Sequence, residues 1–179
     1  MTHGGMTNPN SISIPVAVLA ERRPGVTAWA EWSWRAVEVL EEAPEGIAPW
    51  TVLRQEEGRT LFFAGTATIV LHPTDTTNYK HNIEARQPSV WVVLRPCEAE
   101  PGFALQAATV DAGEAHIYAD VGNDLVEALP MPPGLLEVTR DFVARHHKER
   151  GFWKRRRDRD PEFIGPRGAP PPPSEEDEA

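Results

Sequence analysis

The run Arg59-Thr-Leu-Phe-Phe-Ala-Gly-Thr-Ala-Thr-Ile-Val-Leu71 decides the fold class. Leu61, Phe63 and Ile69 fall on one face and Phe62, Ala64 and Val70 on the other, the pattern of a strand covered on both sides. Gly65 marks a place where that strand bends. Downstream, residues 89–94 contain Val90-Trp-Val-Val-Leu94, a second buried strand, and Phe103 to Val110 and Leu125 to Leu129 read as two more. Upstream, Thr51 to Arg54 leads into a turn at Glu56-Glu57-Gly58. Ile14 to Glu21 is the first strand; Pro15 lacks an amide hydrogen, so this strand should begin there or run along an edge. In Glu31 to Leu40, Trp32 and Trp34 share a face and the apolar side then switches to Val37 and Val39, which predicts a bulge near Ala36. Thr76 to Glu84 sets Tyr79, His81 and Ile83 against Asn78, Lys80 and Asn82, the alternation of a one-sided strand.

Two segments carry a helical period. Asp111-Ala-Gly-Glu114 matches a capping box at the start of a short helix stopped by Gly122. Leu135, Val138, Phe142 and His146, with Thr139 and Val143, recur at three- and four-residue spacing and predict an amphipathic helix to about Arg150. The expected class is α+β, mainly β: a six- or seven-stranded antiparallel barrel or sandwich with a short helix and a long C-terminal one, a layout like that of pleckstrin-homology domains. Residues 12–150 make the single domain. Residues 1–11 read as a disordered lead-in, 151–164 as a basic extension, and 165–179, with Pro170 to Pro173 and an acidic end, as a disordered tail.

Charge divides the 179-residue chain more sharply than its net −9 suggests. Residues 1–139 hold 8 basic and 18 acidic residues (−10), residues 140–159 hold 9 and 3 (+6), and residues 160–179 hold 1 and 6 (−5). No run approaches the roughly 18 apolar residues of a membrane span, and the first ten residues lack a signal-peptide pattern, so a cytoplasmic location is expected. The single cysteine, Cys97, excludes an internal disulfide and a Cys-x-x-Cys metal site, and no metal or cofactor is expected.

Several residues could carry chemistry. Tyr79, His81 and His116 could line a pocket in the β domain of a small enzyme or cofactor-handling protein, but no catalytic set is legible. His146 and His147 are adjacent on a helix, about 100° apart, and do not chelate together. The six tryptophans read as core or core rim, except Trp153 among its charges. Phe152, Trp153, Lys154, Arg155, Arg156, Arg157 and Arg159 form the most informative segment. It suits an acidic protein surface, nucleic acid or anionic lipid, or folds back on the acidic body.

An ordered series of pieces then resembles a known family. It comprises Pro15-Val-Ala-Val-Leu-Ala-Glu-Arg-Arg23 with Trp34-Arg35; Tyr79 with Asn82-Ile-Glu84; Val92-Val-Leu-Arg95; Glu114-Ala115 with Tyr118; Pro130-Met-Pro132; and Phe152 to Arg159. The chain resembles a bacterial domain-of-unknown-function family encoded beside molybdenum- or tungsten-dependent formate dehydrogenase genes. Ala112-Gly113 stands where members often have Ser-Pro. The resemblance carries over no catalytic residues. It implies an accessory role in assembling or supporting formate dehydrogenase; the leading reading is a non-catalytic binding module that docks through the basic segment on a subunit or maturation factor of that enzyme, with a small enzyme or cofactor-handling protein and a nucleic-acid binder as alternatives.

Overall fold

The structure, a computed structural model, describes residues 8–149. Seven antiparallel strands form two sheets: β1 (Ile12–Pro24), β2 (Trp32–Leu40), β3 (Thr51–Glu56) and β4 (Arg59–Leu71) in the order β2-β1-β4-β3, and β5 (Ser89–Pro96), β6 (Phe103–Thr109) and β7 (Leu125–Pro130) in the order β6-β5-β7. The described residues add three α-helices, α1 (Thr76–Glu84), α2 (Ala112–Asp120) and α3 (Pro133–His146). Among the described residues the two sheets share no ladder, so the barrel alternative fails and the mainly β, sandwich-like one holds. The core between them joins Val16, Val18 and Ala20 of β1 and Ile69 and Leu71 of β4 to Val90, Val92 and Leu94 of β5 and to Leu135 and Phe142 of α3. The outer face of the first sheet buries Ala17, Leu19 and Phe63 under Ile47, which is why β4 is apolar on both sides.

The expected irregularities fall where the side chains required them. Leu19 pairs with Glu38 but Ala20 with Ala36, leaving Val37 as the extra residue of β2. On the other side of β1, Val18 pairs with Gly65 but Leu19 with Phe63, leaving Ala64 extra in β4; Gly65 takes φ +126°, open mainly to glycine. Pro15 pairs with Thr68 of β4, whereas pairing with β2 starts only at Ala17. At Pro15, β1 therefore has a neighbour on one side, although further along it lies in the middle of the sheet.

Two expectations are corrected. Thr76 to Glu84 is a helix, not a strand, with Thr76, Tyr79 and Asn82 buried. Tyr79 and Ile83 are four residues apart and share a face in either conformation; His81, the residue that favoured the strand reading, is exposed. Helix α1 and α2 thus interrupt the strand series, which departs from a run of strands capped by one helix. The C-terminal helix is also shorter than expected: α3 ends at His146, because His147 turns to extended backbone and its Nδ1 shares a hydrogen bond with Thr76 Oγ1 (3.1 Å). At its other end Glu41 reaches the first turn, where a β-carbon on Gly134 would collide with its carboxylate. Among the described residues, no helix is long and apolar enough to cross a membrane.

Candidate functional site

The three residues expected to line a pocket do not converge. Tyr79 is 2% exposed, its ring edge-on to Phe142 (6.2 Å), and its hydroxyl accepts from the His72 amide (3.0 Å). Burial, with the carboxylates of Asp75, Asp111 and Glu114 nearby, pushes that hydroxyl up to about 12, although the His72 amide pulls the other way. His81 lines a hollow of about 250 Å³ with Asn78, Gln87 and Trp91. His116 lines a different hollow, with Trp91 and Val126, and lies 3.3 Å from Asp120 one turn on.

The polar groups around these hollows are engaged in holding helices to sheets. The Asn82 amide donates to the carbonyls of Ser89 (2.8 Å) and Val110 (2.9 Å), and its oxygen accepts from the Ser89 amide (2.9 Å). Asn78 donates to both oxygens of Asp111 (3.0 and 3.1 Å). Asp111 in turn caps α2 by accepting from the amides of Gly113 (2.7 Å) and Glu114 (3.3 Å). The capping box is closed indirectly: Glu114 accepts from the Thr109 hydroxyl (2.7 Å), which accepts from the Asp111 amide (3.1 Å). His146 stacks on Phe142 (4.5 Å) while His147 bonds Thr76, so the adjacent histidines diverge. Cys97 is exposed. Among the described residues no group of three His, Cys, Asp or Glu side chains could hold a metal ion. The basic segment, Phe152 to Arg159, lies outside the described residues.

A second concentration of functional groups sits where β1 and β2 meet their connecting loop. Of the 8 basic residues in positions 1–139, five gather here: Arg22, Arg23, Arg35, Arg54 and Arg59. The alternation of β1 sends Arg22 and Arg23 to opposite faces. On one face, Glu21 is buried and ion-pairs with Arg23, Arg35 (3.6 Å) and Arg59 (4.0 Å), while Glu56 pairs with Arg54 (3.1 Å) and Arg59 (3.2 Å). On the other, the Arg22 guanidinium lies 4.1 Å over the Trp32 ring and 5.3 Å from Phe62. Trp34 packs on Phe62 (5.1 Å), on Phe103 (5.9 Å) and edge-on to Trp50 (5.7 Å). Trp50 holds a left-handed backbone, φ +67°, a strained state for a bulky residue that its packing against these rings maintains.

Beyond the Pro24–Trp32 pair, residues 25–31 form a closed loop: the Gly25 amide donates to the Glu31 carbonyl (3.1 Å) and the Ala30 amide to that of Thr27 (3.3 Å). Val26 and Trp29 project from it, 99% and 95% exposed, and Trp32 is 42% exposed. The expectation that the described tryptophans are core or core rim therefore fails for Trp29.

A family model described as "Protein of unknown function (DUF3305)" matches residues 15–157. The chain belongs to this family. No curated protein and no solved structure matches it. The DUF3305 match takes in both the arginine-rich end of the first sheet and most of the basic segment, up to Arg157. The signal for the first of these is Glu21-Arg-Arg23 at the end of a strand, where period 2 splits the two arginines.

Proposed function

We propose that this chain is a non-catalytic protein-binding module that supports the assembly or upkeep of formate dehydrogenase by docking on one of its subunits or on a maturation factor. The observation that carries the docking role is the set of guanidinium groups organised by Glu21 and Glu56. Arg23, Arg35, Arg54 and Arg59 place four cations over two carboxylates, a local surplus of two on a body of net −10. Each guanidinium has five donors, and the two glutamates fix the forks without occupying them all, which leaves directed donors for carboxylates of an acidic partner. The basic segment, Lys154 to Arg159, adds to the same attraction. The link to formate dehydrogenase rests on the family resemblance carried by the ordered pieces between Pro15 and Arg159.

Affinity purification of the full chain from its native host tests the reading. A formate dehydrogenase subunit or maturation factor is expected to co-elute, and replacing Arg155, Arg156 and Arg157 by Ala should slow its association at low salt while leaving the thermal midpoint unchanged. A chain that instead binds duplex or single-stranded nucleic acid at physiological salt, with a steep salt dependence, would show that the partner class is wrong.

A further inference from the structure

Resting on the reading of the chain as a docking module, we propose that the loop of residues 25–31 is its anchor: Trp29 enters an apolar pocket on the partner protein, and a carboxylate at the rim of that pocket pairs with Arg22. Three observations converge. The loop is shaped rather than slack, since a β-carbon on Gly25 would collide with the Ala30 carbonyl and two backbone hydrogen bonds close it. A tryptophan held out by a fixed loop loses little freedom on binding, which is the economy of a preorganised anchor. Next, Arg22 is half-buried against Trp32, Trp34 and Phe62, its Nε has no hydrogen-bond partner, and no carboxylate among the described residues pairs with it. A half-buried cation without a counter-charge is costly, and a partner carboxylate beside the Trp32 ring relieves it. Finally, Trp and Arg are the residue types that dominate protein interfaces, and here Trp29, Trp32 and Arg22 come from the same end of one hairpin.

A bilayer is the weaker occupant. Val26 and Trp29 offer less apolar surface than one acyl chain, which alone gives only marginal membrane binding.

The test measures binding of the full chain to formate dehydrogenase purified from the same host, with Trp29→Ala, Arg22→Gln and Gly25→Ala set beside Ile117→Ala, an exposed apolar residue on α2. Trp29→Ala is expected to weaken binding at least about tenfold, Arg22→Gln and Gly25→Ala by several-fold, and Ile117→Ala not at all, with the Trp29→Ala melting curve unchanged. If the parent binds and both Trp29→Ala and Arg22→Gln stay within about twofold of it, the anchor is overturned while the docking role stands. If the parent binds neither formate dehydrogenase nor any of its maturation factors, both fall together. Trp29-dependent binding to vesicles of phosphatidylcholine and phosphatidylglycerol, with no effect on the enzyme, overturns the protein pocket in favour of a membrane.

Discussion

The junction of α1 and α2 with the second sheet and the loop end of the β1–β2 hairpin are both rich in polar and aromatic side chains, yet they use them in opposite ways. At the junction Asn82, Asn78, Asp111, Thr109 and Glu114 bond one another and the backbone around them. At the hairpin Trp29 stands almost wholly in solvent, and among the described residues no carboxylate pairs with Arg22. Polar side chains that satisfy one another hold a fold, whereas groups left half-satisfied at a surface mark where a second molecule completes the set.

The contrast breaks most visibly at Asn82. Asn82→Ala leaves the Ser89 amide and the carbonyls of Ser89 and Val110 without their partner, a loss of about 3 kcal/mol, and should lower the thermal midpoint by about 6–12 °C in a circular-dichroism melt. A fall of a degree or two would mean the junction is not structural. Glu21→Gln probes the border between the two uses. Removing the charge under three half-exposed arginines should cost only about 1 kcal/mol, or about 2–4 °C, and weaken partner binding by freeing the guanidinium forks from their positions. Tyr79→Phe, which removes the acceptor for the His72 amide, should cost about 1 kcal/mol near neutrality and also sharpen the comparison through pH. The Tyr79 hydroxyl ionises at about 12 when folded and at 10.0 when free, so its contribution is whole below pH 10 and is lost between pH 10 and about 12. Denaturant melts of the parent should show that decline, and Tyr79→Phe should flatten it. Trp29→Ala should move stability least, within about 0.5 kcal/mol, because nothing in the fold rests on the ring.

How much of this the amino-acid order reveals depends on whether two conformations give different patterns. The switch from Trp34 to Val37 admits only a bulged strand, and the bulge sits at Val37. Tyr79 and Ile83 fit helix and strand equally, and the decisive evidence, Asn82 bonding backbone at Ser89 and Val110, is tertiary. The guanidinium cluster was hidden for the same reason: Arg59 reaches Glu21 only because β1 flanks β4. Trp29 failed the expectation of burial since composition cannot tell a ring in the core from one on a closed loop.

β1, which precedes the other strands of its sheet in the chain, lies in the middle of that sheet. β1 leaves the ribosome with only β2 to follow it closely, and its long partner β4 is complete roughly 50 residues later, about 2–10 s at ordinary synthesis rates. Through that interval Val16, Val18 and Ala20 are displayed by a nascent hairpin with an open edge, a state in which a trigger chaperone or an early partner would find the chain most exposed. Deletions that start beyond Ile12 should for the same reason abolish the sheet rather than shorten it.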